Sequence, residues 1–314
     1  MSPSSPQQTG FPAEGPAHTP DSAHTPQRDG AAPESPGAGP VGRRLPVRPD
    51  AAARLARVAE ASWRPALLLG VLLFVWWLVA WQELVESYLV PSPGDVLDVL
   101  ADQRSELMSH TWVTTYETLI GFVLAAGIGV GTAVLIVYSK TLERAIYPVI
   151  LFAQVIPKIA IAPILVVWFG FGMTPKIVLA VLIAFFPVVV SSVAGLRSIN
   201  PELLELSATM GASTWQTFVK FRLPGALPHV MAGLKVAVTL AVVGAVVGEF
   251  VGAQEGLGYV LLASSGNLDA PLLFADLLLM SAIGIVLFVV IELAESLLIP
   301  WHASRRDGMA LTTT

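Results

Sequence analysis

Six long apolar stretches constrain this chain more than any other feature of its sequence. They cover residues 65–82, 115–138, 146–171, 175–196, 229–252 and 273–299. An α-helix needs about 20 mostly apolar residues to cross the hydrocarbon core of a bilayer, and the six stretches meet or approach that length. We therefore predict an all-α integral membrane protein with about six transmembrane helices.

The charge content agrees with a membrane protein. Only 13% of the 314 residues are charged and 54% are hydrophobic, with a mean hydropathy of +0.69. Soluble domains carry about 25% charged residues, which argues against a soluble globular enzyme. The chain has no Cys, which excludes disulfides, thiolate metal sites and Cys nucleophiles. Its net charge of −5 and its scattered basic residues give no indication of nucleic-acid binding.

The amino-terminal segment has a different composition from the rest. Residues 1–50 contain 11 of the 24 prolines and few large apolar residues. Such a stretch cannot bury enough surface to offset its conformational entropy, so we expect residues 1–60 to form a disordered tail. No apolar core follows Met1 within the usual distance, which argues against a cleavable signal peptide. Residues 65–110 are predicted to form the first transmembrane helix and an outer loop.

Lysine and arginine flank the predicted spans unevenly. The basic residues of the amino-terminal flank, of alternate connections and of the carboxyl tail are Arg43, Arg44, Arg48, Arg54, Arg57, Arg64, Lys140, Arg144, Arg197, Lys220, Arg222, Arg305 and Arg306. The opposite connections contain only Arg104 and Lys176, and they gather acidic residues. By the positive-inside rule, the tail at 1–60 and the tail at 300–314 are both predicted to be cytoplasmic.

Two spans carry small residues at every fourth position. In the second span these are Gly121, Ala125, Gly129 and Ala133, and in the fifth they are Gly244, Gly248 and Gly252. Stripes of this kind let helix backbones approach closely within lipid. We therefore expect a compact bundle of helices.

The cytoplasmic connection between the fourth and fifth spans, residues 200–226, has the pattern of two short helices. Asn200-Pro201 is a good helix start, and Glu202 places a negative charge near the positive end of the helix dipole. Gly211 interrupts the helical pattern, and a second amphipathic piece begins at Ser213. The residue before Pro is biased away from helix, so Leu223-Pro224 is predicted to close the segment. The connection would then be a compact surface knob built for docking, or a plain amphipathic loop resting on lipid headgroups.

The spacing in this connection resembles the EAA loop of permease subunits from binding-protein-dependent ABC importers. Glu205 takes the position of the family's Glu, Gly211 that of its Gly, Phe221 that of its usual Ile, and Leu223-Pro224 that of its Leu-Pro. Leu206 and Ser207 replace the two Ala residues, which is a departure. The loop residues that the resemblance implies are Glu205, Ser207, Ala208, Gly211, Phe221, Leu223 and Pro224.

Two further segments resemble the nitrate, sulfonate and taurine branch of these permeases, which includes permeases for thiamine-pyrimidine precursors and riboflavin. The first segment is IPKIAIAPILVVWFGFG, residues 156–172. The second covers residues 248–262 and consists of GEFVGAQEGLGYVL followed by Leu262. The resemblance implies a type I ABC importer-like permease domain over residues 111–299. It also implies a second permease copy, a cytoplasmic ATP-binding subunit and an extracytoplasmic solute-binding protein. The chain has no G-x-x-x-x-G-K-[ST] motif, so ATP hydrolysis is expected to come from the partner.

Three residues are candidates for the translocation path. Lys158 lies within the third span between two prolines, where a cation is costly unless it is paired or faces a cavity. It is either a path residue that attracts an anionic or polar solute, or a lysine with a structural partner. Glu249 near the outer end of the fifth span is either a gate or a boundary carboxylate, and Trp168 either lines the outer mouth or belongs to an interfacial belt.

The sequence leaves the solute open. Sulfonate or nitrate-like anions and pyrimidine or flavin precursors fit equally well, and no cofactor or metal site is expected because the histidines lack ligand spacing. An ion-coupled secondary transporter is the alternative function, although such proteins usually show paired broken helices, and no internal repeat is evident here. An intramembrane enzyme would need a nucleophile and a base at membrane depth, and Ser191, Ser192 and Ser281 have no His or Lys placed beside them.

Overall fold

The computed structural model describes residues 51–82, 85–86 and 88–299, and in these residues every regular element is helical. The tail predicted at 300–314 and most of the tail predicted at 1–60 lie outside the described residues. The elements are α1 (Ala51–Trp81), α2 (Pro93–Asp102), α3 (Arg104–Tyr138), α4 (Lys140–Ala153), a 3-10 turn (Lys158–Ile161), α5 (Ala162–Phe169), α6 (Met173–Arg197), α7 (Pro201–Thr209), α8 (Thr214–Thr217), a π turn (Phe218–Arg222), α9 (Leu223–Phe250), α10 (Leu257–Gly266) and α11 (Ala270–Leu298).

The first helix begins inside the segment that was predicted to be disordered. Helix α1 starts at Ala51, because the run AAARLARVAEA consists almost entirely of residues with high helix propensity. Its apolar part, Leu67–Trp81, is shorter than a membrane span when taken alone. Near its end, the Trp76 ring stacks on Phe274 at 5.8 Å, and its indole Nε1 donates to the Pro91 carbonyl at 3.1 Å.

Four helices in the described residues are long and apolar enough to cross a membrane. They are α3, α6, the continuous helix Thr214–Phe250 and α11. A fifth is obtained if α4 and the helix Lys158–Phe169 are counted as one bent span. The predicted number of six is therefore reached only by adding α1, whose apolar part is short.

The third predicted span is not one continuous helix. Residues 146–171 were expected to form a single crossing, but the helix ends at Ala153 and the next begins at Lys158, with a bend of 88° between them. Pro157 lies at the break. Proline has no N–H to donate and biases the preceding residue away from helix, so the helix ends there.

Helix α6 packs between α3 and α9, and these three helices form the core of the bundle. A side chain added at any of three glycines would overlap α6. A Cβ on Gly244 would lie 2.6 Å from the Ala180 Cα, and a Cβ on Gly248 would lie 2.8 Å from the Lys176 Cα. A Cβ on Gly121 would lie 2.5 Å from the Ala180 Cβ. The predicted stripe of α3, and Gly244 with Gly248 of the second stripe, are thus close-packing surfaces, whereas Gly252 lies beyond the end of α9 and beside Phe171. Outside the core, large apolar side chains such as Val123 and Ile285 are exposed, as expected for a lipid-facing surface.

The contacts also fix the direction of each core helix. Along α3 and α6, Gly121 lies beside Ala180 and Gly129 beside Val188, so these helices are parallel. Along α9, Gly244 lies beside Ala180 and Gly248 beside Lys176, so α9 is antiparallel to α6. One end of the bundle therefore holds the connection 198–222, and the other holds the starts of α3 and α6 and the end of α9. The 25 residues of α6 separate the two ends, a distance of about 37 Å at 1.5 Å per residue.

Candidate functional site

The loop at one end of the bundle begins with a capped helix. Asn200 Oδ1 accepts a hydrogen bond from the Glu202 backbone N–H at 3.0 Å, and Pro201 occupies the first turn of α7, where its missing N–H costs nothing. The helix continues to Thr209, two residues before Gly211, where the sequence predicts an interruption. Gly211 then turns the chain with a φ of +73°, a conformation that favours glycine.

The second short helix continues directly into α9. Ser213 caps α8: its Oγ accepts from the Gln216 backbone N–H at 3.2 Å, while its own N–H donates to Gln216 Oε1 at 2.9 Å. A π turn follows, and Leu223 has helical angles. The prediction that Leu223-Pro224 closes the segment is therefore wrong. The wider π turn accommodates Pro224, which would otherwise crowd the preceding turn of an α-helix.

A pair of hydroxyl groups, of which Ser207 is buried and Thr217 half-buried, joins the two helices of the loop. Ser207 is 2% exposed; its Oγ donates to the Leu204 carbonyl at 2.8 Å and lies 3.3 Å from Thr217 Oγ1. Phe218 packs edge-on against Tyr138 at the end of α3, with 5.7 Å between ring centroids. The loop is thus a defined knob fixed to the bundle, and we call residues 200–226 the coupling knob.

The coupling knob presents apolar side chains to solvent. Met210 is 77% exposed and Trp215 is 71% exposed, and further large apolar side chains are exposed at Leu203, Leu206 and Val219. The family-matched residues Glu205, Ala208 and Gly211 are exposed on the same knob, whereas Phe221, Leu223 and Pro224 are half-buried where it joins α9. Grouped exposed apolar side chains of this kind are typical of protein interaction surfaces.

A buried ion pair lies at the opposite end of the bundle. The Lys176 Nζ of α6 donates to Glu117 Oε1 of α3 at 2.7 Å, and the two side chains are 7% and 0% exposed. Lys176 also reaches the Glu255 backbone carbonyl at 3.5 Å. The sequence analysis placed Lys176 in a connection and did not single out Glu117. Glu117 could have been found from the sequence, because it is a carboxylate inside the predicted span 115–138 and ionisable residues at membrane depth are commonly functional.

Glu249 is held in a buried network beside this pair. Its Oε1 accepts from the Thr114 hydroxyl at 2.7 Å, and its Oε2 accepts from the Gly258 backbone N–H. Thr114 Oγ1 in turn accepts from the Leu257 backbone N–H at 2.8 Å. At 1% exposure, Glu249 is buried within the protein. It connects the end of α9 to the first turn of α10 and to α3.

A cavity of about 470 Å³ opens next to the ion pair, within the usual size range of small-molecule sites. Its lining combines the ion pair with the connections after α5 and α9: Val113, Glu117, Phe171, Gly172, Met173, Lys176, Gly252, Ala253, Gln254 and Glu255. Lys158, Trp168 and Glu249, the three path candidates from the sequence, are not among these lining residues.

Lys158 and Trp168 lie apart from the cavity lining. The Lys158 Nζ donates to the Gln154 carbonyl at 2.8 Å, a group freed by the helix break, and it lies 4.5 Å from the centroid of the Phe186 ring. Trp168 is 71% exposed at the end of α5. Among the residues that the structure describes, no group of three or more His, Asp or Glu side chains is arranged to hold a metal ion.

Comparison with known proteins assigns the family. Residues 118–302 match the family model described as binding-protein-dependent transport system inner membrane component. The chain belongs to this family of ABC importer permeases. The fold class and the function class expected from the sequence are thereby confirmed: the protein is a membrane-embedded permease subunit of an ABC importer.

Several relatives of this permease carry substrate names, and two of them are more than 35% identical to it. It is 38% identical over 236 residues to the formylaminopyrimidine transport permease protein ThiX of Halalkalibacterium halodurans, covering 75% of this chain and 94% of that one. It is 37% identical over 258 residues to the riboflavin transport system permease protein RibX of Chloroflexus aurantiacus, covering 80% and 96%. The resemblance to the branch that includes such permeases is confirmed.

The fold of the permease also matches a solved structure. An inward-facing structure of the MetNI methionine ABC transporter aligns with a TM-score of 0.55 and 23% identity, over 63% of this chain and 97% of that one. At this identity the likeness concerns the fold alone. It supports the type I importer architecture in which α3, α6 and α9 form the core.

Proposed function

We propose that this permease forms the path for a small polar solute, and that a cytoplasmic ATP-binding subunit drives it through the coupling knob. The observation that carries this proposal is the knob itself: two capped helices joined at Gly211, fixed to α3 and exposing Met210 and Trp215. An apolar face on a rigid helix pair fits a groove on a partner protein. Glu205, Ser207, Ala208, Gly211, Phe221, Leu223 and Pro224 are the residues we assign to this contact or its support.

ATP hydrolysis is assigned to the partner. The sequence contains no glycine-rich phosphate loop with its Lys and Ser or Thr, which is the element that binds the phosphates of ATP in such ATPases. The permease then acts as a two-state element: ATP binding biases it from one side and a solute-loaded binding protein biases it from the other. A second copy of the permease, related by a two-fold axis, completes the path.

The coupling knob is assigned to the cytoplasmic face. Lys140, Arg144, Arg197, Lys220 and Arg222 lie at this end of the bundle, and cytoplasmic loops carry an excess of Lys and Arg. Both termini are then cytoplasmic, and the cavity end faces the solute-binding protein. Lys158, Trp168 and Glu249 are retained as proposed path or gate residues.

For the solute, we favour a pyrimidine- or flavin-like nitrogen heterocycle over a sulfonate or nitrate-like anion. The support comes from the relatives: the permeases named for formylaminopyrimidine and riboflavin are 38% and 37% identical, whereas the taurine permease of Escherichia coli is 29% identical. The binding protein does most of the selection in such importers, so this assignment concerns what the permease must let through.

The test is recovery of partners from the host membrane. The tagged full chain is extracted in gentle detergent, and the proteins and small molecules recovered with it are identified by mass spectrometry. Recovery of an ATP-binding subunit and a solute-binding protein with a bound heterocycle would support the proposal. If no ATPase is recovered even after crosslinking, the coupling role is contradicted and an ion-coupled secondary transporter becomes the better assignment.

A pair of variants makes the test specific to the coupling knob. Leu206 is 55% exposed on α7, and Leu97 is 64% exposed on α2 at the other end of the bundle. Leu206→Asp should reduce the recovered ATPase sharply, because it places a charge in an apolar interface. Leu97→Asp, a matched exposed position, should leave the recovery unchanged. Equal recovery with both variants would locate the contact elsewhere.

A further inference from the structure

The cavity beside the ion pair has an unusual balance of charge. Three charged side chains line it, the carboxylates of Glu117 and Glu255 and the ammonium of Lys176. Glu249 interacts with both Glu117 and Lys176 but does not line the cavity. The two lining carboxylates therefore outnumber the single ammonium, which is paired with the Glu117 carboxylate at 2.7 Å.

The cavity also has unused hydrogen-bonding capacity. Glu117 Oε2 is buried and has no hydrogen-bond partner. The Lys176 ammonium has three N–H donors, and its two acceptors here are Glu117 Oε1 and the Glu255 carbonyl. The Glu249 carboxyl group interacts with the Glu117 side chain inside the protein, so Glu117 Oε2 is not an acceptor offered to the cavity. The third N–H of Lys176 is the donor that remains available to a molecule in the cavity.

We propose that this cavity is a solute subsite that accepts a neutral or positively charged molecule with a hydrogen-bond acceptor group, and that it rejects anions. The inference rests on the proposed function, which makes this end of the bundle the entry side. The solute accepts a hydrogen bond from Lys176, as the ring nitrogen of an aminopyrimidine can. An anion meets two lining carboxylates and a lysine whose charge is already neutralised by Glu117.

Lys158 does not compensate for this charge balance. The sequence indicated either a path residue that attracts an anionic or polar solute or a lysine with a structural partner. In the structure its ammonium donates to the Gln154 carbonyl and covers the Phe186 ring, and it is not among the residues that line the cavity. The cavity is accordingly selective by hydrogen bonding and by negative charge.

The test measures binding to the full chain in nanodiscs of zwitterionic lipid, by saturation-transfer NMR. The probes are a formylaminopyrimidine and methanesulfonate. Wild type should bind the pyrimidine with a Kd of about 1 mM or tighter and should not bind methanesulfonate. The double variant Glu117→Met with Lys176→Met removes the pair without leaving a buried charge, and it should weaken pyrimidine binding about tenfold, as expected for loss of a hydrogen bond to a charged group.

A matched ion pair elsewhere provides the control. Lys235 of α9 lies 2.7 Å from Glu295 of α11 and does not line the cavity. Lys235→Met with Glu295→Met should therefore bind the pyrimidine as wild type does. A second double variant should gain anion binding. Glu117→Gln with Glu255→Gln leaves Lys176 as the charged side chain among the lining residues. This variant should therefore bind methanesulfonate.

Three outcomes would overturn the subsite. They are methanesulfonate binding to wild type as tightly as the pyrimidine, absence of pyrimidine binding to wild type, and unchanged pyrimidine binding by the Glu117→Met and Lys176→Met double variant. Failure of the proposed function is a separate result, since that shows as absence of the ATPase from the purified complex. A permease that recovers its ATPase but binds anions would refute the subsite alone.

Discussion

The Thr114 hydroxyl connects Glu249 to the first turn of α10. It donates to Glu249 Oε1 at 2.7 Å and accepts from the Leu257 backbone N–H at 2.8 Å, and both Thr114 and Glu249 are buried. Three helices thus meet at one hydroxyl group: α3 through Thr114, α9 through Glu249 and α10 through Leu257. The end of α9 can change its position relative to α3 only if these hydrogen bonds break.

Thr114→Val tests this hydroxyl. Valine keeps the shape of the side chain but leaves Glu249 Oε1 and the Leu257 N–H without their partner, which should cost about 1–3 kcal/mol of stability. The change is measured as a fall in the unfolding temperature of the purified protein in detergent. Thr115→Val is the matched control, because Thr115 donates only to the Thr111 carbonyl of its own helix, at 2.7 Å. A similar loss in both variants would show that the interhelical bond is unimportant.

Removing only Lys176 from its ion pair with Glu117 should destabilise the protein much more than removing both residues. Lys176→Met leaves the Glu117 carboxylate buried without its cation and should cost about 3–5 kcal/mol. Replacing both residues by Met removes the buried charge together with its partner, so the double variant should unfold at nearly the wild-type temperature. If the double variant is as unstable as Lys176→Met, the side chains contribute through packing and not through charge.

The sequence allowed the coupling knob to be predicted in detail but not the polar cluster. Asn200-Pro201 and Gly211 act through local hydrogen bonds and backbone angles, so their roles follow from neighbouring residues alone. The pairing of Glu117 with Lys176 joins residues 59 positions apart, and it depends on how α3 packs on α6. Pro157 and Pro224 also show that local sequence does not determine the outcome. Both prolines disfavour helix for the residue before them, yet the helix breaks near Pro157 and continues through a π turn at Pro224.

Two glycines of α3 should respond oppositely to alanine. A Cβ on Gly121 would lie 2.5 Å from the Ala180 Cβ, whereas a Cβ on Gly127 would meet nothing within 4 Å. Gly121→Ala should destabilise the protein by about 1–3 kcal/mol through overpacking. Gly127→Ala should be neutral or stabilising by about 0.5–1 kcal/mol, because alanine loses less backbone entropy in a helix. Thermal unfolding of both variants measures the difference, and destabilisation by Gly127→Ala would contradict the assignment of the packing face.

Gly211 should be required for the shape of the coupling knob. Its φ of +73° is unfavourable for other residues, although a Cβ would meet nothing within 4 Å. Gly211→Ala should therefore cost about 1–2 kcal/mol in the formed knob and lower the recovery of the ATPase about tenfold. Gly266→Ala is the control, since a Cβ there is also unobstructed and its φ is not positive. Normal recovery with Gly211→Ala would mean that the ATPase does not contact this turn.

The continuous helix Thr214–Phe250 places the knob and Glu249 on a single rigid body of 37 residues, about 55 Å long. Its first turn belongs to the coupling knob and its last turn carries Glu249. Such a body acts as a lever whose angle is the same at both ends. A tilt imposed at the knob therefore displaces the Glu249 end by about 1 Å for each degree, with the knob as pivot. A rotation of only a few degrees at the ATPase would exceed the length over which the Thr114 hydrogen bond can stretch.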